Sequence, residues 1–227
     1  MGCLRMKKLV LFDIDGTLLT PSKSHKESFN LAIMKVYGVR VDVSSLSLPG
    51  MTDRQIIFEA LRCAGKDDHT ILKGLKDCEY ALLEFFAKLS TFEKLKTLKG
   101  VRYSLEALRR EGVILGLATG NLEGIAKIKL GRAKIGSFFR VGGFGSDHYD
   151  RAEILRIALE RARNLFGRIN KAIVVGDTPR DVESAKRVNL PILGVATGKY
   201  STRELLEAGA DCAVNNLKEG LPFLLDR

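Results

Sequence analysis

Four short apolar runs recur along the chain, each one strand long and each ending in small or polar residues: "KLVLFDI" (8–14), "VILGLAT" (113–119), "KAIVVGD" (171–177) and "PILGVAT" (191–197). None alternates apolar with polar, so each reads as a strand covered on both faces, as in a parallel sheet with helices above and below it. "FFRVGGF" (138–144) and "CAVNN" (212–216) are weaker strand candidates. Helical spacing fills the intervals, over about residues 100–111, 121–133, 150–166, 179–188 and 201–208. This alternation predicts an α/β fold built on a doubly wound parallel sheet.

One stretch breaks the rhythm. From about Pro21 to Leu98 no run reads as a strand, while "KESFNLAIMKVYG", "TDRQIIFEALRCAG" and "HTILKGLKDCEYALLEFFAKL" all have helical periodicity. The expected organisation is an α/β core from residues 1–19 and 98–227, with a small all-helical cap, 20–97, inserted after the first strand. The hinges fall near Leu19–Pro21 and Thr97–Gly100.

Charge and cysteine usage narrow the function classes. Lys plus Arg is 37 against 27 acids, a formal net charge of +10, but acids interrupt the basic residues everywhere and no dense block forms. This argues for a small anionic ligand rather than nucleic acid. Cys3, Cys63, Cys78 and Cys212 lie far apart with no C-x-x-C, the habit of reduced thiols in a cytoplasmic protein. No apolar run approaches a membrane span, and the segment before Asp13 is too short for a signal peptide. A Met-Gly start suggests myristoylation, but Met6 stands where Ser or Thr is needed, and Met6 itself is an alternative start.

The first, second and third of these runs end in residues that carry chemistry: Asp13-Ile14-Asp15-Gly16-Thr17, Thr119-Gly120-Asn121, and Gly176-Asp177-Thr178-Pro179-Arg180-Asp181. Open α/β sheets bind ligands at the carboxyl ends of their strands. If these strands are neighbours, Asp13, Asp15, Asp177 and Asp181 converge on one crevice. Such a group of carboxylates calls for a hard cation, and all-oxygen ligation favours Mg²⁺. His25, His69 and His148 have no zinc-ligand spacing. A calcium loop begun at Asp13 has Leu18 and Ser24 where Gly and Glu belong. "GVATGK" falls one residue short of a P-loop, and "GGFG" does not complete a dinucleotide fingerprint. Taken singly, each acid could be only a turn or helix cap; their recurrence at successive strand ends is what points to a site.

On these motifs the chain resembles the haloacid dehalogenase superfamily of phosphatases. "DIDGT" (13–17) matches the D-x-D-x-T motif, Thr119 the Ser or Thr that ends a strand, and Asp177 and Asp181 in "GDTPRD" the late acidic motif. The helical insertion looks like that family's C1-type cap, and "PGMTDRQII" (49–57) resembles the cap loop of phosphoglycolate-phosphatase-like members. Where the family commonly has a Lys, this chain offers Arg151 in "GSDHYDRAEIL", with Lys134 the other cation nearby in sequence.

The resemblance implies a Mg²⁺-dependent phosphomonoesterase acting on a small phosphorylated substrate, with neither nucleic acid nor membrane as partner. Asp13 is the implied nucleophile, forming an aspartyl phosphate, and Asp15 the acid and base. The metal is held by Asp13, the backbone carbonyl of Asp15, and Asp177. Thr119, Gly120 and Asn121 bind phosphoryl oxygens, Arg151 balances their charge, and Asp181 orients a metal-bound water or Arg151. Gly16 allows the tight turn beside Thr17. Thr52, Asp53 and Arg54 are expected to face the site from the cap, Arg54 pairing with a substrate carboxylate. A phosphomutase of the same fold, or a non-catalytic member that binds a phosphometabolite or partner, are the alternatives. The physiological substrate and the oligomeric state are not legible.

Overall fold

The period-two alternation inside β1 (Lys8–Phe12) explains why its sequence is apolar from Leu9 onward. Val10 and Phe12 point to one face of the sheet and Leu9 and Leu11 to the other, and all four are fully buried. This computed structural model describes residues 7–46 and 49–226; Met1, Met6 and Cys3 lie outside them. β1 pairs in parallel with β2 (Ile114–Ala118) on one side and with β4 (Lys171–Gly176) on the other. The sheet continues through β3 (Val141–Gly143) beyond β2, and through β5 (Ile192–Val195) and β6 (Cys212–Val214) beyond β4, giving the order β3-β2-β1-β4-β5-β6. Of the weaker strand candidates, "FFRVGGF" forms a strand only over Val141–Gly143.

Helices cover both faces. The face of Val10 and Phe12 packs against α4 (Val101–Arg110), α5 (Glu123–Arg132) and α9 (Leu221–Leu225). The face of Leu9 and Leu11 packs against α6 (Arg151–Phe166), α7 (Pro179–Arg187) and α8 (Thr202–Glu207). Side-chain caps start the helices that face the site. Asp150 caps α6, and Thr178 forms a capping box with Asp181 at the head of α7, where Pro179 suits the first helical position.

Between β1 and β2 the chain forms a helical insert of α1 (Lys23–Tyr37), α2 (Asp53–Cys63) and α3 (Asp68–Leu89). Its own core holds Phe29, Ile33, Ile57, Leu61, Leu82 and Phe86, and runs on to Leu122 and Ile125 at the start of α5. The two segments that lead into and out of the insert pair with each other. Thr20 donates to Lys96 O, and Leu98 donates to Leu18 O. The insert is thus tethered by two adjacent extended segments over the carboxyl end of the sheet. Cys63, Cys78 and Cys212 are free thiols. Among the described residues no helix is long and apolar enough to cross a membrane.

Candidate active site

The strand order reverses direction between β1 and β4, and a crevice opens where crossovers leave a parallel sheet in opposite directions. Asp13 follows β1 directly and its N–H still donates to Val175 O of β4 at 3.0 Å. Asp177 follows β4, so the pairing register places the two carboxylates side by side. One oxygen from each of Asp13, Asp177 and Asp181 lies within 4.8 Å of the others, and all three residues are buried.

The electrostatics of this group are strained without a cation. Burial pushes the Asp13 carboxyl well above the ordinary range, against the pull of Arg151, and Asp181 and Asp15 add repulsion. Burial also raises Asp177, and the neighbouring Asp181 and Asp13 raise it further. Arg151, at the first turn of α6, is the buried counter-charge. Its Nη2 lies 3.4 Å from Asp13 Oδ1 and pairs closely with Asp181 Oδ1. Burial opposes its charge, but Asp181 and Asp13 outweigh that and hold the guanidinium firmly protonated.

The two Asp181 oxygens are committed, one to Arg151 and the other to the Thr178 N–H and hydroxyl at 3.0 and 2.7 Å. Asp177 uses only Oδ1, which accepts from the Thr17 hydroxyl at 2.9 Å. Its Oδ2 sits in a cradle that only glycines permit: a Cβ at Gly16 (φ +83°) would lie 2.2 Å from it and one at Gly198 1.9 Å. Two carboxylates with uncommitted oxygens, Asp13 and Asp177, form a hard, all-oxygen donor set that fits Mg²⁺. Asp181, held by Thr178 and Arg151, has neither oxygen without a protein partner.

Asp15 stands apart from this group. Its Oδ2 accepts from Lys129 Nζ at 2.5 Å and Asn121 Nδ2 at 2.8 Å, while its Oδ1 is buried with no hydrogen-bond partner. Burial would raise its pKa, but the Lys129 ammonium and these hydrogen bonds more than offset that and hold it below the usual range. Thr119 lies fully buried at the end of β2, its Oγ accepting from Asn121 Nδ2 at 3.0 Å, and Gly120 and Asn121 reach the cavity wall.

The cap overhangs the crevice, and between them lies a cleft of about 480 Å³ that is open to solvent. Thr52 caps α2 and is buried, its hydroxyl donating to Tyr149 O at 3.3 Å. Asp53 fastens cap to core: its N–H donates to Gly120 O at 2.9 Å, and its Oδ2 accepts from Leu122 N at 2.8 Å. Asp53 also lines the cavity. Arg54 points into the cap instead and pairs with Glu79 of α3 through both its Nε and Nη2. Lys134 is exposed just past the far end of α5, in a left-handed conformation.

Two residues at the site escaped the sequence reading. Lys129 is 0% exposed, and Nδ1 of the buried His25, on α1, lies 3.0 Å from its Nζ. A signal for Lys129 existed. It interrupts the buried stripe Leu122, Ile125, Ala126, Leu130 at a core-facing position, where a lone lysine requires a partner. His25 carried none, since Ser24 and Lys26 beside it read as an ordinary helix start.

A family model described as haloacid dehalogenase-like hydrolase matches residues 7–189. Phosphoglycolate phosphatase of Pseudomonas fluorescens is 25% identical over 227 residues, covering 98% of this chain and 81% of that protein. Phosphoglycolate phosphatase 1 of Pseudomonas aeruginosa is 28% identical over 229 residues, covering 96% and 80%. Among solved structures, "a predicted phosphatase from Clostridium acetobutylicum" superposes with a TM-score of 0.72 at 25% identity, covering 98% of this chain and 100% of that one.

Proposed function

This chain belongs to the haloacid dehalogenase-like hydrolases, and from that premise we propose that it hydrolyses a small phosphomonoester, phosphoglycolate-like, through a phosphorylated Asp13. The observation that carries the reading is the division of labour between two acids one residue apart. Asp13 sits among Arg151, Asp177 and Asp181, where a phosphoryl group can be held, whereas Asp15 is drawn away to Lys129 and keeps one buried oxygen free.

Asp13 attacks phosphorus in line, and the Asp15 carboxyl gives a proton to the departing alkoxide. Asp15 then takes a proton from the water that cleaves the phosphoenzyme. Arg151 offsets charge on Asp13 and on the phosphoryl oxygens, and the turn Thr119-Gly120-Asn121 supplies hydrogen-bond donors to them. Mg²⁺, held by Asp13, Asp177 and the backbone carbonyl of Asp15, supplies charge neutralisation at the transferring group. Cap closure, fastened by Asp53, excludes bulk water. Lys26 and Lys199 on the cavity wall offer charge for a second anionic group, such as a carboxylate. That assignment replaces Arg54, whose guanidinium is committed to Glu79. The names of the curated relatives support phosphoglycolate as the first substrate to assay.

The test is phosphate release from a panel of phosphorylated metabolites with added Mg²⁺, in wild type and Asp13→Asn. Phosphate release that persists undiminished in folded Asp13→Asn removes Asp13 as nucleophile. Isomerisation of a phosphosugar without phosphate release replaces hydrolase with mutase.

A further inference from the structure

Lys129 is the one fully buried cation among the described residues that does not touch the carboxylate group of Asp13, Asp177 and Asp181. Its three ammonium donors have three acceptors: Asp15 Oδ2 at 2.5 Å, Asn121 Oδ1 at 2.6 Å and His25 Nδ1 at 3.0 Å. The Phe86 ring lies 5.8 Å away as a further contact. A methionine or leucine would fit this stripe of α5 without the cost of taking a charge out of water, so stability alone does not explain a lysine here. What the lysine achieves is geometric. With Asn121 Nδ2 it occupies Asp15 Oδ2 from two sides, which fixes the carboxylate plane and leaves Oδ1 as the buried, unpartnered oxygen. His25 and Phe86 belong to the cap helices α1 and α3, so the lysine's surroundings are complete only with the cap seated.

We propose that Lys129 is a positioning residue for Asp15, holding its carboxylate in the one orientation from which it serves the water that cleaves phospho-Asp13. The proposal rests on the phosphatase reading above. In that step the water oxygen forms a bond to phosphorus, and the phosphorus–oxygen bond to Asp13 breaks with its electron pair returning to the Asp13 carboxylate. The water proton passes to the Asp15 carboxylate. Phosphoenzyme formation from an aryl phosphate needs no proton donor, because the phenolate leaves unaided, whereas its hydrolysis always needs the base.

The experiment is rapid-quench kinetics of Lys129→Met with 4-nitrophenyl phosphate and Mg²⁺, with the phosphoenzyme read by intact-protein mass. The first turnover should stay within a few-fold of wild type, while steady-state turnover falls about ten- to a hundredfold, a part of what a general base contributes. Phosphorylated protein then accumulates. With an alkyl phosphate both phases should slow, and Lys129→Arg should recover part of the loss. Lys129→Gln, which returns a neutral donor in place of the ammonium, should shift the balance the same way and serves if Lys129→Met does not fold. If wild type forms a phosphoenzyme but the folded variants accumulate no more of it, the positioning role is wrong. If neither wild type nor Asp15→Asn forms a phosphoenzyme at any time, the phosphatase reading falls and takes this proposal with it.

Discussion

Removing Arg151 tests the electrostatic logic of the site most directly. Its Nη2 lies 3.4 Å from Asp13 Oδ1, and at an effective dielectric near 20 a unit charge pair at that separation is worth about 5 kcal/mol gross. Ground and transition states share much of this, so the part that speeds the reaction is smaller. Deleting one preorganised donor gives the scale: Arg151→Ala should lower kcat by about two to three orders of magnitude, or roughly 3–4 kcal/mol. Arg151→Lys should recover part of the loss, since the charge returns without the planar fork that spans Asp13 and Asp181. The same deletion breaks a buried ion pair, and the fold should lose roughly 3–5 kcal/mol. Rates must therefore be compared well below each variant's unfolding midpoint, with the folded fraction fixed by circular dichroism. Calorimetry separates the two roles the arginine could have. If it is the counter-charge, its loss should tighten Mg²⁺ binding; a mere scaffold for the metal would loosen it. Arg156→Ala is the control, because Arg156 is solvent-exposed and its contacts are Glu153 and the Arg187 carbonyl. Equal kcat for Arg151→Ala and Arg156→Ala would refute the assignment.

The other expectations concern acids and cap. Asp13→Asn should abolish turnover with the fold retained, and Asp15→Asn should be nearly as inactive because an amide cannot carry the proton; steady-state assays of both variants check this. Asp13 and Asp177 have pKa values raised in the folded protein, so without metal their contribution to stability is fully present below the unfolded value near 4 and declines as pH rises through the higher folded values. Mg²⁺ competes with those protons, so its increase in Tm should be larger at pH 8 than at pH 5; an equal increase at both would place the metal elsewhere. Arg54→Ala should leave the ranking of a substrate panel unchanged, and a reordered ranking would return Arg54 to the substrate site. Asp53→Ala removes the acceptor of Leu122 N and should raise KM more than it lowers kcat, with faster amide exchange at residues 120–123.

How much of this was legible in the sequence depends on whether a residue's role is local. The strands were legible because burial on both faces leaves only apolar residues, so "KLVLFDI" and "KAIVVGD" announce themselves; the α/β fold with its helical insert followed from them. Asp13, Asp15, Asp177 and Asp181 stood out because acids recur at successive strand ends, where any one alone would read as a turn or a helix cap. Their partition was not legible. Nothing in "DIDGT" says that Asp13 faces Arg151 while Asp15 faces a lysine more than a hundred positions away on α5. Arg54 shows the same limit from the other side: a cation at a helix start in the cap loop reads as a substrate ligand until the packing of α2 on α3 brings Glu79 to it. Lys129 sits between these cases. Its place in the buried stripe of α5 marks it as a cation in need of an acceptor, and Asp15 has a carboxylate that its own loop does not satisfy. The lysine's need can be suspected from the sequence, the aspartate's cannot, and the fold resolves both in one contact.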